Sequence, residues 1–404
     1  MRIAYVTMEY IDPETYKVID GGLANYLYKV TNTISGMGHK IIVFVVNCTE
    51  NKHIKFNDID IYYLKKNFKR TFWQNFYWIF LTGKIKKKIK ADYMSKVLHN
   101  KIKKINKQNK IDIIQYTTCT NTAKYPEKEI PSVLRISSYA KLRQESYKYK
   151  NLEELAKDEE LYKVNKFIFG PSKHIADYIK NDLNLHKEIK IIESPYSKEV
   201  IKEDNSILED LKNRIQNNPY LLFFGTIGEL KGCKVIADCI YDVLEKYRNL
   251  YMVLVGKNAT FINDTDYAQL IKDNAKEFSD RVIRYQSLSH EKLYPLIRSA
   301  QSVLMPSLTE NFSNACVEAM RLRKIVIGTE GNFSQLITDD VSGFLAKVGN
   351  SDSLKEKIIE LMDLTTDKKT EMETNAYQRT ENLSPEKICT QLIDYYKDVI
   401  NNWQ

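Results

Sequence analysis

Two acids frame the stretch "MPSLTENFSNACVEAM", residues 305–320, with seven residues between Glu310 and Glu318. The apolar run "SVLMPS" reads as a strand, Pro306 begins a turn, and a helix is predicted to start near Ser313 or Asn314. Glu310 then sits in a loop at the strand's carboxyl end and can accept hydrogen bonds from sugar hydroxyls. Glu318 sits on the helix, near its first turn, where its two oxygens can take both hydroxyls of a ribose. Between them, the N–H groups of residues 313–316 and the helix dipole suit a diphosphate. On spacing alone, a pair of solvated acids favoured by the helix dipole is the plainer account.

Two further stretches could handle anions. In "LLFFGTIGELKGCKVI" (221–236) a strand ends at Gly225, and Lys231 stands where the next helix opens, placed to meet a phosphate as a point charge or simply to be solvated. In "IDGGLANYLYKV" (19–30), Gly21 and Gly22 fall between the first strand and the first helix. Paired glycines let backbone N–H groups approach a ligand with no Cβ in the way, although a plain loop would use them equally well. Ser172 in "GPSKHIADYI" reads as a helix cap.

"PSLTENFSNACVEAM" resembles the E-x7-E motif of retaining family 4 glycosyltransferases, which commonly read P-S-x-x-E-x-F-x-x-x-x-x-E-A-M. The likeness extends through "LSHEKLYPLIRSAQSVLMPS" (288–307) and "RLRKIVIGTEGNFSQLITDDVSGFLAKVGNSDSL" (321–354). "FFGTIGELKG" is similar to the family's F-x-G-R-L-x-x-x-K-G, with Lys231 and Gly232 matching and Thr226 where Arg is usual. The resemblance implies a GT-B fold: α/β, two Rossmann-like doubly wound domains facing each other across a cleft. It implies that Glu310 holds donor sugar hydroxyls and supports charge at the anomeric carbon, while Glu318 grips the ribose. Lys231, Gly225, Thr226 and the segment Asn311, Phe312, Ser313, Asn314, Ala315 would hold the rest of the donor. Gly21 and Gly22 correspond to the family's glycine loop. Asn311 and Ser313 stand where glycines are common, and "VLRISSYA" offers no histidine where the family often has one. No protein base is therefore assigned.

Net charge is +9, and residues 61–110 hold fifteen Lys/Arg against Asp92, so the rest of the chain is acidic. Within "KKNFKRTFWQNFYWIFLTGKIKKKIK" (65–90), aromatic residues including Trp73 and Phe76 recur at helical spacing among cations such as Lys86 and Lys87. Such a segment suits an anionic membrane surface or an acidic acceptor, or it packs its aromatic face into the core. Nucleic acid is not the expected partner. The six cysteines and six histidines form no ligand cluster, so no metal and no cofactor is expected. The N-terminus lacks signal-peptide character and no window is apolar enough to span a bilayer. These features suggest a cytoplasmic protein, free or peripheral at the membrane's inner face.

The elements that would position these residues come in two series. Strand-like runs at 2–7, 40–46, 111–117, 132–137, 166–170 and 189–194 alternate with helical stretches, and so do runs at 220–227, 252–256, 281–285, 302–306 and 324–329. Continuous apolar strands between helices predict parallel sheets covered on both faces. The polar stretch 194–220 is the expected linker. Residues 1–195 would then bind the acceptor and 196–384 the nucleotide-sugar donor, with 385–404 a helix crossing back to the first domain. The expected function is retaining transfer of a sugar from a nucleotide sugar, a UDP-sugar by preference, to a glycan, lipid-linked or protein acceptor. The alternatives are a catalytically silent partner subunit and a nucleotide-sugar epimerase.

Overall fold

The computed structural model describes residues 1–19, 21–66, 83–146, 148–198, 201–259 and 265–403. The chain divides into two compact units: 1–140 with 151–195 and 385–404, and 141–150 with 196–384.

In the first unit, strands β1 (Arg2–Thr7), β2 (Lys40–Cys48), β3 (Lys52–Phe56), β4 (Ile59–Lys65), β5 (Ile113–Thr117), β6 (Ser132–Arg135), β7 (Ile168–Gly170) and β8 (Ile189–Ile191) form one sheet in the order β3-β4-β2-β1-β5-β6-β7-β8. The pairs are parallel except β3 with β4. Residues 3–7 of β1 are all buried, as expected of a strand covered on both faces. The β3–β4 hairpin was not read from the sequence. Its turn uses Asn57 and Asp58, both at positive φ, the conformation that matches the twist of a tight hairpin.

In the second unit, β9 (Tyr220–Phe224), β10 (Tyr251–Val255), β11 (Val282–Tyr285), β12 (Ser302–Leu304), β13 (Val326–Thr329) and β14 (Phe344–Ala346) form a second parallel sheet, ordered β11-β10-β9-β12-β13-β14. Phe223, Leu254 and Ile327 of the sheet are buried with Val243 and Ile271 from its helices. Strand order reverses between β9 and β12, and the loops at the carboxyl ends of strands beside such a switch point are the usual ligand position in open α/β sheets.

The expected linker is not a simple tether. Residues Ser206–Arg214 form a helix that buries Leu208 and Leu211 in the second unit. The polar composition that suggested a linker is its solvent face. The last helix, Pro385–Asn401, belongs to the first unit, where Tyr396 Oη meets Gln115 Oε1 at 2.6 Å and Tyr395 Oη donates to Ile168 O at 3.2 Å.

Candidate functional site

The site grows from the loops after β9 and β12. Gly225 leaves β9 at φ 127° and its N–H donates to Val255 O at 3.0 Å. Thr226, next in the loop, is exposed. A short turn, Glu229–Lys231, follows and ends at Gly232 with φ 74°. A Cβ on Gly232 would lie 1.8 Å from Pro306 O, so only glycine lets this loop press against the one after β12. Leu308 N–H donates to Leu230 O at 2.9 Å and ties the two together. Beneath them, Gly228 N–H donates to Cys233 Sγ at 3.3 Å, and burial pushes that thiol up to about 12.

That contact brings Lys231 and Glu310, far apart in the chain, into a direct ion pair. The Glu310 side chain is 13% exposed and that of Lys231 is 38% exposed. Asn332, after β13, fixes the backbone beneath the acid. Its Oδ1 accepts from Glu310 N–H at 3.1 Å, and its Nδ2 donates to Ser307 O at 3.0 Å and Thr329 Oγ1 at 3.1 Å. The Thr329 hydroxyl also donates to Ser307 O, at 2.8 Å.

Ser313 caps the helix Asn314–Arg321, its Oγ accepting from Cys316 N–H at 3.2 Å. The expectation of free amides through 316 is therefore corrected: the hydroxyl of Ser313 occupies the Cys316 N–H, and the run offered to a ligand shortens to Ser313, Asn314 and Ala315. Asn311 and Phe312, half-buried, precede the cap. Glu318 is the helix's fifth residue, just past its first turn. Its side chain is 24% exposed, and Oε1 lies 3.9 Å from His290 Nε2.

In the first unit, the glycine pair proves asymmetric. A Cβ on Gly21 would sit 3.0 Å from Glu9 Oε1, so that glycine makes room for an internal carboxylate, whereas nothing lies within 4 Å of the position a Gly22 Cβ would take. Burial raises the Glu9 carboxyl above the usual range, with the Ala24 N–H pulling the other way. Ser172 Oγ accepts from Ile175 N–H at 3.3 Å, as a cap should. Trp73 and Phe76 lie outside the described residues, and Lys86 and Lys87 fall on the helix Gly83–Gln108.

The sequence pointed to Lys231, Glu310, Ser313 and Glu318 but missed Asn332, His290 and Glu9. Asn332 had one usable signal, an amide side chain between Gly331 and Phe333 just past a strand-like run. His290 and Glu9 had none, because their meaning comes from partners remote in the chain.

Residues 207–379 match the family described as Glycosyl transferases group 1. Across 228 residues the chain is 25% identical to an uncharacterized glycosyltransferase of Methanocaldococcus jannaschii, covering 56% of this chain and 58% of that one. It is 23% identical to the alpha-D-kanosaminyltransferase of Streptomyces kanamyceticus, over 37% of this chain and 38% of the relative. The chain thus spans about half the length, or less, of the curated relatives it matches. Among solved structures, the sucrose-phosphate synthase of Thermosynechococcus elongatus superposes with a TM-score of 0.76 at 14% identity, covering 99% of this chain and 100% of that one. The Anabaena protein HepE, solved in complex with UDP, gives 0.70 at 15% identity, covering 98% and 100%. At such identities the likeness concerns the fold. The chain has the two-Rossmann architecture of the GT-B class, and within it residues 207–379 match the glycosyltransferase group 1 family.

Proposed function

We propose that the chain is a retaining glycosyltransferase of the family 4 type, which moves a sugar from a UDP-sugar to a glycan, lipid-linked or protein acceptor. The observation that carries this reading is the Lys231–Glu310 pair together with the helix start at Ser313, Asn314 and Ala315, whose amides the Ser313 cap does not take. A cation, an acid and a helix N-terminus come from the loops after β9 and β12, and each answers a different part of a nucleotide sugar. In the free chain Lys231 and Glu310 neutralise each other. A bound donor would take both, with the diphosphate on Lys231 and the sugar hydroxyls on Glu310. Glu318 holds the ribose.

The bond from the anomeric carbon to phosphate breaks with its electron pair leaving on the diphosphate. The acceptor oxygen bonds the same face of that carbon, and its proton passes to the departing phosphate oxygen, so no protein base is required. Lys231 and the amides stabilise the departing charge, worth a few kcal/mol for each well-placed donor. The reading uses no metal and no cofactor. The acceptor is assigned to the first unit and the donor to the second, with a cytoplasmic location, free or peripheral at the inner face of an anionic membrane through residues 65–90. No helix among the described residues is long and apolar enough to cross a membrane.

The test is a panel of nucleotide sugars screened for release of the nucleoside diphosphate. UDP-sugar turnover that disappears in Glu310→Ala is the expected result. A second reading, a silent partner subunit, draws on the exposed Thr226 in place of a phosphate-binding arginine. Failure of UDP and every UDP-sugar to bind in a calorimetric titration would favour it.

A further inference from the structure

Arg135 ends β6 in the first unit and is 5% exposed. Its guanidinium lies 3.6 Å from the centre of the Tyr26 ring, itself 3% exposed. Nη1 donates to Ser137 Oγ and Nη2 to Ser194 Oγ, both at a long 3.4 Å. Among the described residues no carboxylate pairs with it. Two other partly buried arginines are answered. Arg281 donates to the carbonyls of Leu244, Tyr247, Arg248 and Leu250, and Arg321 pairs with Glu381. A guanidinium stays charged at any pH the fold survives and carries five donors. Burying one without a counter-charge is strongly unfavourable, so buried cations are as a rule paired.

Among the described residues, the side chains that accept from Arg135 are hydroxyls. Ser194 is 5% exposed. Thr118 Oγ1 accepts the N–H groups of Ser137 at 3.0 Å and Ser138 at 3.3 Å, which fixes the loop that carries Ser137. The group opens outward on that side, since Ser137 is half-buried while Ser138 and Cys119 are exposed. A hydroxyl that accepts from the guanidinium can turn its own proton to an oxyanion. A planar fork flanked by hydroxyls matches the several acceptor oxygens of a tetrahedral anion, with charge-assisted bonds shorter than those Arg135 now makes.

We propose that Arg135, Ser137 and Ser194 form a subsite for a phosphate group in the first unit. Together with the acceptor assignment above, on which this clause alone rests, the site makes the acceptor a phosphorylated molecule.

The probe is inorganic phosphate, read by thermal unfolding of the full chain against sodium acetate and sodium chloride at matched ionic strength. The measurement is made in Lys231→Ala, which removes the cation assigned to the donor's phosphates. The expected result is a saturable rise in melting temperature with phosphate alone, absent in Arg135→Gln. Ser194→Ala, which keeps the guanidinium and its stacking, weakens the phosphate response about fivefold or more. Glycerol 3-phosphate binding more tightly than inorganic phosphate supports a site for an esterified group, and equal binding supports a site for the free anion. A phosphate response no larger than that of acetate, or undiminished in Ser194→Ala, overturns the proposal. No sugar transfer is measured, so this failure leaves the transferase reading standing, and loss of UDP-sugar turnover leaves the phosphate site standing.

Discussion

The N–H of Glu310 donates to Asn332 Oδ1 at 3.1 Å, so the acid's backbone is anchored by a residue from the loop after the neighbouring strand β13. The same amide holds Ser307 and Thr329, and Asn332 is only 9% exposed. Asn332→Ala removes its three bonds and leaves buried partners unmet, at a cost of about 2–3 kcal/mol. The melting temperature should fall by roughly 5–10 °C. UDP-sugar turnover should fall about tenfold or more as the Glu310 loop loosens. Calorimetry and a diphosphate-release assay check both, and an unchanged melting temperature would show that the anchor does not matter.

The roles of Lys231 and Glu310 separate by what each variant loses. Glu310→Gln should keep UDP affinity within about threefold, because a carboxamide loses the charge needed at the reacting carbon but not the diphosphate contact; turnover should drop about a hundredfold or more. Lys231→Ala should weaken UDP itself about tenfold or more. Equal UDP affinity in wild type and Lys231→Ala, measured by titration calorimetry, would remove Lys231 from the diphosphate.

Two glycines should respond in opposite ways. Gly232→Ala places a Cβ 1.8 Å from Pro306 O at φ 74°, and should cost about 3 kcal/mol or more, seen as a large drop in melting temperature or soluble yield. Gly22→Ala meets nothing within 4 Å and opens the helix Gly22–Gly36, so stability should hold or rise by up to about 1 kcal/mol. If a ligand uses the open side of Gly22, turnover falls in Gly22→Ala while the melting temperature does not. Full turnover would assign that side to solvent.

Glu9 gives a pH signature. Its carboxyl is raised above the ordinary 4.5, chiefly by burial, so the folded chain holds this proton more tightly than the unfolded one. Stability therefore declines as pH rises from the ordinary value through the raised one and is then constant with respect to this group. Glu9→Gln removes the dependence. The variant should melt higher than wild type at neutral pH, with the gap closing below about pH 4.5. A gap that widens on acidification would reverse the sign and the argument.

The basic segment is tested without a transfer assay. The full chain should sediment with vesicles rich in anionic lipid and not with neutral ones, and salt of about 0.5 M should release it, since surface attraction falls within a Debye length. Equal sedimentation with both vesicle types would dismiss residues 65–90 as a membrane contact.

Much of the fold was legible because its strands are buried on both faces. "RIAYVT", "YLLFFG" and "KIVIGT" announce parallel strands by unbroken apolar runs, a property of composition that needs no partner to be read. The hairpin of β3 and β4 escaped because its alternating, charge-bearing strands look like loop until Asn57 and Asp58 are seen to turn. The helix Ser206–Arg214 escaped because its polar face outweighs two buried leucines.

The sequence by itself determined which residues could do chemistry: a lysine before a glycine, an acid in a loop, a capping serine and an acid on the helix that follows. Local spacing sets these, since a cap and a helix position depend only on near neighbours in the chain. Tertiary structure alone decided who meets whom. The adjacency of β9 and β12 paired Lys231 with Glu310, the loop after β13 brought Asn332 beneath the acid, and the packing of the helix Gly22–Gly36 left Arg135 buried against Tyr26. Such meetings depend on strand order and on the absence of a single Cβ at Gly232, neither of which leaves a periodic trace in the chain.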